Sequence, residues 1–173
     1  MTNQVRKHVS QMSFHEINYL QNILEETWAN VQRLYISNHL RDKIASGRTV
    51  YSNSLAQECL RNFRECLFEF NLKTYENGEQ SARVALRSKG QLKHNDKWHN
   101  QIIVVDIMRC VVITSYLNEV NDHHETIDWS KYNENLNAWE CEFKWNDLKL
   151  LGEVNSRVAI LQMMLKLKQL MKH

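Results

Sequence analysis

Apolar residues recur every three or four positions between residues 13 and 34, and this spacing predicts an amphipathic helix. Ser13, followed three residues later by Glu16, forms the capping-box pattern that starts such helices. The same period continues more weakly as far as Gly47, a residue type that often ends a helix. A shorter helix is then predicted to begin at Ser52.

The apolar period changes from helical to alternating in the middle of the chain. Residues 67–73 and 81–88 alternate between apolar and polar side chains, which is the spacing of β-strands. Between them lies the pair Asn77-Gly78, a strong short-range signal for a hairpin turn. We therefore predict two antiparallel strands joined by a tight turn.

A second pair of strands is predicted immediately afterwards. The segment QIIVVDI, residues 101–107, is apolar on both faces and predicts a central strand. The segment CVVITSYL, residues 110–117, should be its antiparallel partner after a tight turn at 106–109. The polar segment 91–100 is predicted to be a loop.

Helical spacing returns after a polar stretch at 118–133 and continues to Leu170, with Gly152 as a weak point. The order of elements is helices, an antiparallel sheet of about four strands, then one long helix or a helix pair, which predicts an α+β fold. We place the core domain at 1–133. A C-terminal helical extension at 134–173 should pack on the core or on a partner.

Composition limits the function classes. The chain has 22 basic and 20 acidic side chains, so nucleic-acid binding would require a local basic patch. No apolar leader and no run of about 18 uncharged apolar residues is present, so we expect a soluble, cytoplasmic protein that does not enter a membrane. The four cysteines show no CxxC spacing and are expected to be reduced packing residues: Cys59, Cys66, Cys110 and Cys141.

The first candidate for chemistry is a pair of arginines on the second strand. Arg83 and Arg87 are four residues apart, so they point to the same side at a separation of about 13 Å. Guanidinium groups present a rigid fork of donors that suits phosphate oxygens. If Thr114 and Tyr116 share that face, the four side chains form a phosphate-binding wall; the alternative is an ordinary solvated strand face.

A second candidate is His39, which has Arg41, Lys43 and Arg48 nearby. On a helix, His39 and Lys43 are neighbours one turn apart. Neighbouring cations favour a neutral imidazole, which suits a general base. The alternative is a surface histidine on a basic helix.

The segment NDHHETID, residues 121–128, raises the question of a metal site, because histidine and aspartate are good ligands. However, no HxH, HxxxH or HExxH spacing is present, and adjacent histidines rarely bind one ion. We therefore expect a polar rim without a metal or other cofactor.

Taken together, three segments resemble a known group of proteins. They are ISNHLRDKI, LFEFNLKTYENGEQSARVALRSKG and IIVVDIMRCVVITSYLNEVNDHHETIDWSKY. The group consists of phage and mobile-element proteins related to the RelE, barnase, EndoU and colicin-type metal-independent endoribonucleases. Its pattern has a histidine on an early helix, an R-V-x-L-R strand, a V-I-T-x-Y strand and a D-x-H-x-T-[LI]-D-x-S-x-Y tail. The resemblance covers about residues 36–132.

The resemblance implies a metal-independent endoribonuclease that cuts RNA by attack of a ribose 2′-OH. It implies four catalytic residues: His39, Arg83, Arg87 and His124. It implies six substrate-binding residues: Arg41, Lys43, Thr114, Tyr116, Thr126 and Tyr132. The partner is RNA, with a host protein or the ribosome as a further partner.

Two other interpretations remain open. The near-neutral charge and the amphipathic helices at both ends are also typical of a non-catalytic phage-type protein that binds and inhibits a host factor. In addition, residues 13–34 and 134–170 carry more apolar surface than a four-stranded sheet can cover on one face. A homodimer through the terminal helices is therefore a second expectation.

Overall fold

A computed structural model of the chain describes residues 3–29, 34–122 and 132. The predicted helical extension at 134–173 and the candidate residues His124 and Thr126 lie outside these residues. The dimer contact proposed for the terminal helices depends partly on that extension and stays a prediction.

The described residues form an α+β fold, as predicted. The elements in chain order are β1 (Asn3–His8), a 3-10 turn (Val9–Gln11), α1 (Phe14–Ala29), β2 (Tyr35–Ile36), α2 (Asn38–Ala45), α3 (Asn53–Arg61), α4 (Phe63–Cys66), β3 (Leu67–Thr74), β4 (Gln80–His94), β5 (Lys97–Asp106) and β6 (Val111–Glu119). No helix in the described part of the chain is long and apolar enough to cross a membrane.

The strands make one six-stranded sheet in the order β1-β3-β4-β5-β6-β2. All neighbours are antiparallel except β2 and β6, which are parallel. The prediction of about four strands is therefore wrong, because β1 and β2 extend the sheet at its two edges. Both added strands are short, and neither has an apolar alternation that marks it in the sequence.

One face of the sheet forms the hydrophobic core with the helices. Alternate residues of the central strands point into it, including Val84 and Leu86 on β4 and Ile103 and Val105 on β5. They belong to the same buried cluster as residues from every long helix: Leu20, Leu24, Leu40, Ala56 and Cys59. We call the opposite side, which carries the intervening residues of β1 and β3 to β6, the polar face.

The first strand contains a buried ion pair. Lys7 on β1 is only 1% exposed, and its Nζ donates to Glu16 Oε1 at 2.5 Å. The other carboxylate oxygen of Glu16 accepts the backbone N–H of Ser13 at 2.8 Å, and Ser13 Oγ accepts the N–H of Glu16, which confirms the predicted capping box. A lysine at a core-facing position explains why β1 could not be recognised from apolar spacing.

The helical period that continues weakly beyond residue 34 does not form one helix. Ile36 lies in β2, and Ser37 then starts α2 by accepting the N–H of Leu40 at 3.1 Å. The same hydroxyl donates to the carbonyl of Ile113 at 2.7 Å and so attaches the start of α2 to β6. The predicted end is confirmed, because α2 stops at Ala45 and Gly47 follows with a φ of +68°.

Both predicted tight turns are confirmed. Gly78 has a φ of +82°, and the N–H of Tyr75 donates to the carbonyl of Glu79 across the first hairpin at 2.8 Å. In the second turn, Asp106 Oδ1 accepts the N–H groups of Met108 and Arg109 at 3.0 and 3.2 Å.

The predicted loop at 91–100 is wrong. β4 and β5 continue as a hairpin to Asn95 and Asp96, whose φ values of 49° and 62° are those of a type I′ turn. Most residues between 89 and 98 are exposed or half-buried on both faces. This tip of the hairpin therefore has no apolar side, and the alternation on which strand prediction depends is absent.

The hairpin tip is joined to the rest of the sheet through a β-bulge. Pairing between β4 and β5 shifts register between Arg87 and Gln91. Glu58 Oε1 on α3 accepts the N–H groups of Lys89 and Gly90, both at 3.0 Å. A bulge bends a strand and re-aims its side chains, so α3 holds the direction of the hairpin tip.

Three of the four cysteines are described, and all three are free and buried: Cys59, Cys66 and Cys110. They belong to the hydrophobic core cluster, which confirms the prediction that they are packing residues. Cys141 lies outside the described residues.

We expect Gly90→Ala to lower the free energy of unfolding by about 1–3 kcal/mol through crowding. A Cβ at this position would lie 2.6 Å from both Glu58 Oε2 and Leu55 Cδ2. The carboxylate cannot retreat without losing its bonds to the bulge. Chemical denaturation of G90A, E58A and the double variant tests this, and the cost of G90A should be smaller when Glu58 is already alanine. Equal costs in both backgrounds would contradict the crowding explanation.

We expect Glu16→Gln to lower the free energy of unfolding by about 3–5 kcal/mol. The glutamine can still accept the N–H of Ser13, so the variant keeps the helix cap but removes the carboxylate from the buried ammonium of Lys7. Lys97→Met in the exposed pair with Glu119 is the matched control, and its change should stay below about 1 kcal/mol. Similar small changes in both variants, measured by denaturant unfolding, would show that the buried pair adds no stability.

Candidate functional site

The polar face is organised by strand register into three rows of neighbouring side chains. The first row holds Arg6, Asn71, Arg83 and Asp106; the second holds His8, Glu69, Ala85, Val104 and Thr114; the third holds Arg87, Ile102 and Tyr116. Neighbours in a row have Cβ atoms about 4.5–5.5 Å apart. Arg83 and Arg87 therefore lie on either side of the small Ala85, on one side of β4 as the spacing predicts. Strand pairing places Thr114 and Tyr116 on the same face, which meets the condition set for the predicted wall.

Arg83 has donors available for a ligand. Its Nε donates to Ser81 Oγ at 2.9 Å, and the side chain is half-buried. Within residues 3–29, 34–122 and 132, no carboxylate forms an ion pair with Arg83, and neither terminal nitrogen donates a hydrogen bond. Arg83 is therefore a cation of the polar face that can meet an anionic group without first breaking an ion pair in this part of the chain.

Arg87 is held by the protein itself. Its Nε and Nη2 both donate to Asn100 Oδ1, at 3.1 and 2.8 Å. Nη1 donates to the carbonyl of Asp122 at 3.3 Å and Nη2 to that of Val120 at 3.5 Å. Arg87 thus connects the chain that leaves β6 to the β4–β5 hairpin. It keeps this structural role even if it also contacts a ligand.

A cluster at the β1–β3 end of the polar face was missed by sequence reasoning. Arg6 forms a bidentate ion pair with Glu69, with Nε and Nη2 each 2.8 Å from a carboxylate oxygen. Tyr132 donates its hydroxyl to Glu69 Oε2 at 2.8 Å, and its ring centre lies 5.1 Å from the Arg6 guanidinium. The ring of His8 packs edge-on against Tyr132 at 5.9 Å. The only sequence signal for Glu69 was its place in an alternating strand.

The charges of Arg6 and Glu69 act on the pKa values of Tyr116 and Tyr132. Partial burial raises the pKa of Tyr116, and the negative charge of Glu69 raises it further, while Arg6 acts in the opposite direction. Tyr116 belongs to β6 and Glu69 to β3, and β4 and β5 lie between them in the sheet. Burial and the bond to Glu69 also raise the pKa of Tyr132, so both phenols are neutral donors at pH 7.

The residues predicted on the early helix lie at the edge of the polar face. Leu40 of α2 is fully buried in the core, so α2 packs on the helix-covered side next to β6. Lys43 reaches Thr114, with Nζ 3.5 Å from Oγ1. His39 is exposed one turn before Lys43, and Arg41 is also exposed. The structure therefore brings Lys43 to the end of the second row, whereas His39 and Arg41 face solvent beside it.

The remaining predicted residues fall largely outside the described chain. Tyr132 is described and 7% exposed, in the cluster with Arg6 and Glu69. His124 and Thr126 are outside, as is most of the segment 121–128 for which a metal was considered. The proton-transfer role given to His124 stays a prediction.

The polar face can bind an anion and supply protons. Its rows combine three guanidinium groups, two carboxylates (Glu69 and Asp106) and the phenol of Tyr116, and the phenol of Tyr132 joins them through Glu69. Comparisons with protein-family models, with curated proteins and with solved structures found no match. Function is therefore inferred from this geometry and from the sequence resemblance.

We expect Tyr132→Phe to lower the free energy of unfolding by about 1–3 kcal/mol, because it removes a hydrogen bond to a half-buried charged carboxylate. Tyr75→Phe is the matched control, since the Tyr75 hydroxyl has no hydrogen-bond partner in the described part of the chain. Denaturant unfolding of both variants tests the contact. Equal stability of Y132F and Y75F would contradict it.

Proposed function

We propose that the chain is a metal-independent endoribonuclease whose substrate lies on the polar face. The observation that carries the proposal is the position of Arg83, a guanidinium without a described carboxylate partner, across Ala85 from Arg87. Guanidinium groups suit phosphate oxygens, so a phosphate is proposed to bind at Arg83 with Arg87 nearby. The resemblance to metal-independent endoribonucleases supports the same reading.

The proposed ligand position follows from the spacing of the two arginines on β4. Ala85 is the smallest residue of the second row, and the arginines on either side of it are about 13 Å apart along β4. Ala85 itself is only 5% exposed, so the phosphate is proposed to lie against the half-buried Arg83 side chain and not on the alanine methyl. Arg83 makes the direct contact in this proposal, and Arg87 borders the site while it holds the end of β6.

The proposed reaction is an in-line transfer at phosphorus. A base takes the proton of a ribose 2′-OH, the 2′-oxygen bonds to the adjacent phosphorus, and the bond to the 5′-oxygen breaks as an acid protonates it. The products are a 2′,3′-cyclic phosphate and a 5′-hydroxyl. Arg83 stabilises the charge on the non-bridging oxygens, and His39 and His124 are the proposed proton carriers.

The remaining candidates are proposed to hold the substrate. Thr114 and Lys43 are in contact with each other at one end of the second row and can bind ribose or phosphate there. Tyr116 is a neutral phenol that can donate a hydrogen bond to a substrate oxygen. Tyr132 already donates its only O–H to Glu69, so it is proposed to contact the substrate through its ring or as an acceptor. Arg41 and Thr126 are proposed to contact the RNA chain.

Incubation of purified protein with labelled RNA in EDTA tests the proposal. We expect cleavage with cyclic-phosphate ends, no cleavage of the matching DNA because it lacks the 2′-OH, and a loss in kcat/KM of about 10²–10³ for Arg83→Ala. Arg61→Ala on α3 is the control, because Arg61 is exposed on the helix side and should leave cleavage unchanged.

Two results would overturn the nuclease proposal. The first is intact RNA at high protein concentration, and the second is equal cleavage by wild type, R83A and the Arg83→Ala/His39→Ala double variant. RNA binding without cleavage would instead favour the non-catalytic binding protein that the sequence also allows.

A further inference from the structure

The tip of the β4–β5 hairpin carries an exposed tryptophan that the site described above does not use. Trp98 is 56% exposed, although an indole is among the most costly side chains to leave in water. Trp98, Asn100 and Ile102 are alternate residues of β5, so their side chains lie on the same face of the sheet, the polar face. Across the hairpin, Trp98 pairs with Lys93. No described aromatic ring packs against it.

Hydrogen bonds fix the backbone around Trp98. The bulge that precedes it on β4 is attached to α3 through Glu58, and Asn100 Nδ2 donates to the carbonyl of Ser88 at 2.9 Å. The carbonyl of Trp98 accepts the N–H of Val120 at 3.1 Å, which ties its own backbone to the chain leaving β6. An exposed indole on a backbone fixed from two sides is preorganised for a ligand.

We propose that Trp98 is a stacking platform for a base of single-stranded RNA that runs from the Arg83–Arg87 site along the polar face to the hairpin tip. The inference rests on the proposed function and adds the substrate class and a second contact. Trp98 lies four residues from Ile102 and six from Val104, which is about 13 to 20 Å along β5. A short oligonucleotide spans that distance, whereas a dinucleotide does not reach both points.

The charge of the polar face suits an anionic chain, and the exposed ring favours a nucleic acid over an acidic protein segment because a base can stack on it. Lys93 is the cross-strand neighbour of Trp98, and Arg87 and Arg83 continue the line of cations toward the rows. Lys93 pairs with Asp96, but both groups are exposed at 56% and 96%, so this pair is weak and exchangeable. Cations that follow an exposed aromatic ring are the usual features of a single-strand groove, because the backbone follows the charges while a base stacks.

The strand must be single for the base to be reached. In an RNA duplex the bases are paired and stacked on one another, so an indole cannot cover a base face. Trp98 is therefore expected to favour unpaired RNA and to be tolerant of sequence, since every base offers a π-face.

The test compares substrates of two lengths. We expect Trp98→Ala to lower kcat/KM for a single-stranded octanucleotide by about 5- to 100-fold more than for a dinucleotide, mainly through KM. Trp98→Phe should recover part of the loss, because a smaller ring still stacks. Phe14→Ala is the control, because Phe14 is 65% exposed on α1, outside the polar face. It should leave kcat/KM unchanged for both substrates.

A binding measurement separates this inference from the proposed cleavage. Fluorescence anisotropy with an uncleavable 2′-O-methyl octanucleotide should show weaker binding by W98A, but not by F14A, even if the protein proves to be no nuclease. Cleavage by wild type with W98A equal to wild type in both assays would overturn the stacking role and leave the nuclease standing. The same loss on the dinucleotide as on the octanucleotide would also overturn it, because it would show general damage to the fold.

Discussion

Alternation in the two central strands, β4 and β5, is the constraint on which the rest of this structure depends. Every second side chain of these strands must lie under the helices, and the fully buried Val84, Leu86, Ile103 and Val105 occupy those positions. The intervening residues are thereby forced onto the opposite face, where Arg83 and Arg87 emerge on either side of Ala85. A slip of one residue would place two guanidiniums in the core, so the packing of the core and the composition of the polar face enforce the same register.

The polar face is assembled from distant parts of the chain through one carboxylate. Glu69 accepts two hydrogen bonds from Arg6 and one from Tyr132, which are 63 residues away on either side. It therefore connects the first strand and a residue beyond the last strand to the centre of the sheet. The same two charges act on Tyr116 of β6, where Glu69 raises the pKa of the phenol and Arg6 lowers it.

Rigidity at the hairpin has a different origin from rigidity in the core. Beyond residue 88 the hairpin has no apolar side to bury, and its direction depends on hydrogen bonds between Glu58 and the bulge and between Arg87 and the chain after β6. Such bonds orient a strand without covering it, so the tip can remain exposed and still be held in place. This explains how an exposed indole and a line of cations can persist on a well-fixed backbone.

The sequence by itself determined the features that depend on neighbours a few residues apart. The Ser13–Glu16 cap, the glycine turns at Gly47 and Gly78, the alternation of β3 and β4, the shared side of Arg83 and Arg87 and that of Thr114 and Tyr116 follow from local periodicity or local hydrogen bonds. That both pairs lie on one face was decided by the pairing of β4, β5 and β6. Tertiary structure alone decided the membership of β1 in the sheet, the strand pairing at 91–100, and the meeting of Arg6, Glu69 and Tyr132. In β1 a buried lysine is stabilised by a carboxylate from another element, and the hairpin tip is held by strand pairing without a buried apolar side. The apolar pattern of one strand reveals neither interaction, because each joins residues that only the folded chain brings together.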